Sequence, residues 1–347
     1  MISAKDIEQP KLLSVFHLVT CRMPMKSTLR NLLALCVACG VTVGASQPAA
    51  AATAKKQVVA SKKVATKPVV KKAKKPAKAV ARRAAVIQDD GTGSIDSIKS
   101  AAVAVIDQST GDVLFEKNAS AVVPIASITK LMTAMVALDI QPSLTETLTI
   151  GTDDLDTIKG THSRLSVGTR LSREEMLLLA LMSSENRAAS ALSRHYPGGR
   201  EAFVAAMNAK AKMLGLTETR FADPTGLTPE NVSSARDLVK LVNAAHQYPL
   251  IREFSTSEEY QVAVRGRPQM FRNTNTLVRN EQWNIGLSKT GYISEAGKCL
   301  VMQAWLDNKP TIIVLLDSWG RLTRIGDANR IKRWIESLAS SPPTFRG

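Results

Sequence analysis

A serine placed three residues ahead of a lysine is the smallest unit in this chain that could carry nucleophilic chemistry. Ser127-Ile128-Thr129-Lys130 is the sole Ser-x-x-Lys in the 347 residues. On a helix that step puts both side chains on one face, about one turn apart. The amine can then take the hydroxyl proton, provided burial and nearby cations lower its pKa. Apolar positions 128, 131, 132, 135 and 138 predict a helix over 128–138 with one buried face. Ser127 would stand at its N-terminus, where free backbone N–H groups and the helix dipole favour an oxyanion. Alone the pair carries little weight, since about one Ser-x-x-Lys arises by chance in a chain of this length. An N-cap Ser followed by a surface Lys has the same pattern.

Two further segments change that balance. Ser184-Glu185-Asn186 begins 57 residues after Ser127, and Lys289-Thr290-Gly291 begins 105 residues after Ser184. The first falls in a polar break between two expected helices. The second falls in a β-rich stretch, where Gly291 permits close backbone approach. Each has a plain alternative: Ser184 and Asn186 as helix caps, Lys289 as a surface strand charge. Glu185, beside a helix start, reads as a solvated cap with no catalytic role.

The ordered set Ser-x-x-Lys, Ser-x-Asn, Lys-Thr-Gly is the one shared by penicillin-binding proteins and class A β-lactamases. The surrounding residues extend the likeness: 124–132, 182–186, Asp223-Pro224-Thr225-Gly226-Leu227, Phe271-Arg272-Asn273-Thr274-Asn275 and 288–292 all resemble the low-molecular-mass penicillin-binding proteins. The resemblance covers about residues 95–340. It implies a β-lactamase/DD-peptidase-like fold and a serine peptidase that hydrolyses D-alanyl bonds of peptidoglycan stem peptides through a Ser127 acyl-enzyme, with β-lactam antibiotics as covalent inhibitors. Lys130 would be the base, and Ser184 would relay a proton to the leaving amine. Asn186 would hold the substrate backbone and the Lys130 amine. Lys289 would supply positive charge beside Ser184, and Thr290 would bond the substrate carboxylate or backbone. The oxyanion would sit between the N–H groups of Ser127 and Tyr292, flanking Gly291.

An endopeptidase cleaving D-Ala–diaminopimelate cross-links and a carboxypeptidase removing the terminal D-Ala would share this set. The family likeness favours the endopeptidase. A β-lactamase would need an added deacylating base, and no Glu-x-x-Leu-Asn lies between Asn186 and Lys289. A non-catalytic protein that binds the cell wall through a basic tail is the alternative from another class.

The elements that must position these motifs are also legible. A β-hairpin is predicted from 101–106 and 113–115 around the turn Ser109-Thr110-Gly111-Asp112. Ser172 and Glu175 form a capping-box pair that opens a helix through Met182, apolar nearly all round and so central. Helices are expected over 187–195, 200–214 and from Ser234 through Ala245, with a turn at 223–226. Short β-rich runs follow at 261–264, 283–287, 300–305 and 311–316, and an amphipathic helix at 328–338 closes the order. This predicts an α+β domain, an antiparallel sheet flanked by helices, with a helical subdomain.

The net charge of +16 is a property of one segment. Residues 55–83 hold 12 Lys or Arg and no acid, and residues 84–347 are left with a net of only +1. A basic start at Met25-Lys26 and Arg30, an apolar run and an Ala-rich stretch follow the order of a secretory signal peptide. The expected division is an upstream extension at 1–24, a signal peptide at 25–52, a Lys/Ala/Pro-rich linker at 53–94, the catalytic domain at 95–340 and a tail at 341–347. Export makes nucleic acid a poor partner; weak contact of the linker with anionic wall polymer or membrane fits its charge. A periplasmic enzyme, soluble or loosely membrane-associated, is the expectation. No room is expected for the C-terminal β-rich domain and anchor of some relatives. His17, His162, His195 and His246 have no metal-ligand spacing and Cys299 stands alone beyond the leader, so neither metal nor cofactor is expected.

Overall fold

Strict alternation of apolar side chains along three strands organises the molecule. The computed structural model describes residues 95–340 apart from 321. The expected extension, signal peptide, linker and tail lie outside the described residues. The chain begins with the predicted hairpin, β1 (Ala102–Asp107) and β2 (Val113–Lys117), then a two-residue strand β3 (Val123–Pro124). Helix α1 (Lys130–Asp139) follows, then β4 (Thr147–Thr149), β5 (Arg170–Ser172), α2 (Arg173–Met182), α3 (Asn186–Arg194) and α4 (Gly199–Met213). Next come β6 (Val232–Ser233), α5 (Ala235–Ala245), α6 (Pro249–Thr256), and the hairpin β7 (Glu259–Val264) and β8 (Arg267–Arg272). Three long strands, β9 (Asn284–Ile293), β10 (Gly297–Leu306) and β11 (Lys309–Ser318), lead into α7 (Thr323–Ser340).

The main sheet has the order β2-β1-β11-β10-β9, and every pairing is antiparallel. Val103, Val105, Leu300, Met302, Ile313 and Leu315 face α7, packing with Ala328, Ile331 and Ile335. Their neighbours Ala102, Ala104, Val301, Ile312 and Val314 face the other way, into the core built by the helical cluster. The fold is therefore α+β, with one helix on one sheet face and a helical subdomain on the other. Strand β9 forms the sheet edge beside that subdomain, and it carries Lys289-Thr290-Gly291.

Local rules account for most helix ends. Ser172 caps α2 by accepting from the Glu175 amide at 3.1 Å, while the Glu175 carboxylate accepts from the Ser172 amide at 2.8 Å. Ser234 caps α5 through the Asp237 amide at 3.1 Å. The departures from the expectation include β4, β5 and β8, an earlier start of α7 at Thr323, and two further helices, α1 and α6. Helix α1 is buried all round from Lys130 to Ala137, not on one face, because α2, α3, α4, α5 and α6 all pack about it. Small side chains at Thr133, Ala134 and Ala137 let them approach. Helix α6 is not among the expected elements; Pro249 occupies its first turn, where its missing N–H costs nothing.

Candidate active site

Ser127 lies in a 3₁₀ turn, Ala126–Thr129, that runs directly into α1. The α-helix proper therefore starts at Lys130, two residues later than the apolar pattern suggested. Ala126 just before it has φ +47°, a left-handed conformation that costs a non-glycine residue on the order of 1–3 kcal/mol. Ser184 has φ +61° at the second motif. Two strained residues thus flank the same hollow.

The structure brings the three motifs together. Lys130 Nζ donates to Ser127 Oγ at 2.7 Å, to Asn186 Oδ1 at 2.8 Å and to the Thr225 carbonyl at 2.6 Å. Lys289 Nζ donates to Ser184 Oγ at 2.9 Å and to the Thr290 carbonyl at 2.8 Å. Ser127, Ser184, Asn186, Thr290, Gly291 and Tyr292 line one cleft of about 260 Å³. Lys130 and Lys289, which act from beneath, are buried at 0% and 1% exposure.

Burial decides the charge of both amines. Taking an ammonium out of water disfavours the charged form, and it lowers Lys130 from 10.5 to about 7, with Asp223 and Glu185 opposing. Burial also drives Lys289 well below its ordinary value, helped by the positive charges of Lys130 and Arg324. Lys130 can therefore shed its proton near neutrality, as proton transfer from a serine hydroxyl requires.

Glycine allows the walls to close. A Cβ on Gly291 would lie 2.9 Å from the Ile125 carbonyl and 3.1 Å from the Ser127 nitrogen. Strand β9 thus runs hard against the Ser127 turn, bringing the backbone around Tyr292 beside it. The Tyr292 ring itself is 60% exposed and lies beside the Lys298 ammonium, 4.2 Å from its centroid. Gly226, at φ +81°, is under still tighter constraint, since a Cβ there would fall 2.1 Å from the Ala126 carbonyl.

Five supporting residues had no role in the motif reading. The Thr225 carbonyl anchors Lys130, and its turn is held by the Asp223 carboxylate, which accepts from the amides of Thr225, Gly226 and Thr228 at 2.5, 2.8 and 3.0 Å. Thr161 Oγ1 accepts from Asn186 Nδ2 at 3.1 Å. Thr274 and Thr290 share a hydroxyl hydrogen bond at 2.6 Å, and Arg324 donates to the Gly291 carbonyl at 3.1 Å. The 223–227 and 271–275 segments carried a signal through their likeness to the family; Thr161 and Arg324 carried none. Glu185 corrects the expectation of a solvated cap: it is 7% exposed, it makes no cap hydrogen bond, and its carboxylate accepts from Ser163 Oγ at 2.6 Å with Arg164 at 3.6 Å.

Comparison with known proteins agrees with this geometry. A profile of the D-alanyl-D-alanine carboxypeptidase family matches residues 84–319. The chain belongs to this family. It is 52% identical over 243 residues to a D-alanyl-D-alanine endopeptidase of Pseudomonas aeruginosa, covering 69% of this chain and 78% of that one. An Escherichia coli D-alanyl-D-alanine endopeptidase is 48% identical over 75% of this chain and 83% of its own. Among solved structures, a DD-transpeptidase of Streptomyces superposes with a TM-score of 0.65 at 27% identity, covering 70% of this chain and 98% of that one. A D-alanyl-D-alanine carboxypeptidase of Mycobacterium tuberculosis gives 0.63 at 26% identity, over 71% and 93%. The chain is thus a serine hydrolase of the D-alanyl-D-alanine peptidase family.

Proposed function

We propose that this protein is a D-alanyl-D-alanine endopeptidase that cleaves D-Ala–diaminopimelate cross-links between peptidoglycan stem peptides. The observation that carries the mechanism is the contact of Lys130 Nζ with Ser127 Oγ at 2.7 Å, made by an amine whose pKa burial has lowered to about 7. Neutral Lys130 takes the Ser127 proton as Oγ attacks the D-alanyl carbonyl. The resulting oxyanion is held between the N–H groups of Ser127 and Tyr292. Ser184, hydrogen-bonded to Lys289, returns a proton to the leaving amine as the C–N bond breaks. Asn186 and Thr290 hold the substrate backbone on either side, and Gly291 keeps the strand close. Water then hydrolyses the Ser127 ester. β-Lactams would acylate the same serine.

Preference for a cross-link over a terminal D-Ala is supported by the relatives: those named endopeptidases are 40–52% identical, whereas carboxypeptidases of Bacillus subtilis and Escherichia coli are 30–33% identical. A β-lactamase reading finds no support, since no carboxylate lines the cleft among the described residues. Action in the periplasm is part of the same proposal, supported by the basic, apolar, Ala-rich order of residues 25–54. Cell fractionation with mass mapping of the exported chain tests it, and a cytoplasmic pool of intact chain would refute it.

The deciding experiment is incubation with labelled penicillin followed by peptide mapping, alongside digestion of purified cross-linked muropeptides. Label on the peptide containing Ser127, conversion of dimers to monomers, and loss of both in Ser127→Ala are expected. Label elsewhere would sink the assignment of Ser127. Release of terminal D-Ala with no loss of dimer would overturn the endopeptidase reading in favour of the carboxypeptidase.

A further inference from the structure

A second hollow, of about 650 Å³, opens on the helical face of the sheet and shares no lining residue with the catalytic cleft. It lies where the ends of β10 and β11 meet the turn between α5 and α6. Its inner wall is Gln303 on β10, paired across the sheet with Leu287, two residues before Lys289. Gln303 is 0% exposed, and neither its Nε2 nor its Oε1 has a hydrogen-bond partner among the described residues. His246 Nε2, next to it, is also unpartnered.

That arrangement works against stability. A buried polar group without a partner costs on the order of 1–3 kcal/mol, while Leu287 and Val301 show that this sheet face takes apolar side chains readily. The backbone of β9 packs closely against Gln303. A Cβ on Gly286 would fall 2.1 Å from Gln303 Oε1 and 2.8 Å from the Trp305 ring.

The rim repeats the chemistry of the floor. Gln108 Nε2 donates to Asn243 Oδ1 at 3.0 Å, which leaves Gln108 Oε1 and Asn243 Nδ2 available. Arg252 is partly committed, donating to the His246 carbonyl at 2.5 Å. Burial, together with the Arg252 charge, holds His246 below its usual pKa, with the nearby Gln303 amide opposing, so the ring is neutral at pH 7. Trp305 is 38% exposed and stands edge-on to His246 with ring centroids 6.5 Å apart.

No carboxylate lines this hollow, so it offers nothing to a cation. The rim amides of Gln108, Asn243 and Gln247 present donors and acceptors side by side, beside an indole with an apolar face, while Gln303 and the His246 Nε2 lie beneath them without exposed surface. Paired donors and acceptors match neighbouring sugar hydroxyls and an acetamido group, and the indole face matches the C–H face of a pyranose ring. The volume falls within the range of small-ligand sites, about 300–1,000 Å³. We propose that this hollow is a saccharide subsite that takes an N-acetylated hexosamine of a glycan strand. It rests on the reading of the enzyme as a peptidoglycan peptidase, whose substrate peptides hang from such strands, and it would hold the enzyme on the polymer independently of the peptide in the cleft.

The test is titration of the purified enzyme with the N-acetylglucosamine trisaccharide, followed by tryptophan fluorescence and saturation-transfer NMR. Saturable binding is expected in the wild type, weakened about tenfold or more in Trp305→Ala and Gln303→Leu. Gln303→Leu should also raise the Tm, because it removes the unpartnered amide. Should Gln303→Leu fail to fold, Trp305→Ala and Asn243→Ala at the rim carry the same comparison. No saturable binding up to tens of millimolar sugar, or binding unchanged in the rim variants, overturns the subsite. Penicillin acylation of Ser127, measured on the same samples, should be unaffected by all three substitutions. Its absence in the wild type would strike the peptidase reading instead, so the two failures are distinguishable.

Discussion

Buried charge is handled in opposite ways by two regions of this molecule. At the junction of α3 with the loop after β4, the carboxylate of Asp154 is fully buried and surrounded by opposite charge. Arg194 Nη2 lies 2.7 Å away and Arg200 3.9 Å, and Ser190 Oγ and the Gly151 amide add hydrogen bonds at 2.8 Å each. In the cleft, Lys130 and Lys289 are as deeply buried, yet among the described residues neither forms an ion pair; their partners are hydroxyls, an amide and carbonyls. At the scaffold site the opposite charge holds Arg194 above its usual pKa. The amines in the cleft are left with neutral acceptors, and burial lowers both.

The sharpest way to break that contrast is Lys130→Met. It removes the base while keeping a chain of similar length, and penicillin acylation should fall by about 10²–10⁴-fold, the usual contribution of a positioned base. In the wild type, acylation should rise with pH through about 7 as Lys130 deprotonates. The folded pKa is depressed relative to the unfolded chain, so the charged form opposes folding. The penalty is full below about 7 and is relieved as pH rises from 7 to 10.5. Stopped-flow acylation across pH 5–9 checks the first statement, and a flat profile would contradict the assignment of Lys130. Thermal melts of wild type and Lys130→Met over the same range check the second: the stability gap should shift in favour of the wild type as pH increases.

The reverse outcome is expected at the compensated site. Asp154→Asn removes the buried partner of an ion pair and leaves Arg194, whose side chain is 30% exposed, short of its counter-charge, a change that should cost about 1–3 kcal/mol. Denaturant unfolding should show that loss, while the fraction that remains folded should acylate with a near-normal rate constant. A large fall in the acylation rate with unchanged stability would mean that the two regions are not separate in function.

How much of this was legible in the sequence follows the range of the interactions. The three motifs, the hairpin, the caps at Ser172 and Ser234 and the long strands were readable because spacing and capping are local. Burial was not. Lys130 reads as one polar position on an amphipathic helix, and only packing by five other helices makes it a buried amine. Thr161 and Arg324 were invisible for a similar reason: a threonine in a loop and an arginine at a helix start have no pattern that points to Asn186 or Gly291. The strain at Ala126 could not be read either, since nothing in Pro124-Ile125-Ala126 requires positive φ; the clash that Gly226 avoids is with the Ala126 carbonyl, 100 residues earlier in the chain. The partners of Glu185 also come from a distant loop, which is why it looked solvated.

Glu185 gives the finest test of the contrast, because it is a buried carboxylate near the cleft that touches neither lysine. Its bond to Ser163 and its proximity to Arg164 tether the loop that supplies Thr161 to Asn186. Arg164 in turn stacks 4.0 Å from the centroid of Phe271 and donates to the Met270 carbonyl at 3.0 Å, joining the same loop to the β7–β8 hairpin. The Glu185 charge also favours the protonated form of Lys130, opposing burial. Glu185→Gln keeps the shape and the acceptor for Ser163 but removes that charge. Two small effects should therefore separate: the midpoint of the acylation profile should move below its wild-type value, because Lys130 loses a stabilising negative neighbour, while KM should stay within about twofold. Glu185→Ala, which also cuts the tether, should raise KM as well. A midpoint identical in Glu185→Gln and wild type would show that the carboxylate only braces the loop, and that Lys130 titrates under burial and Asp223 without it.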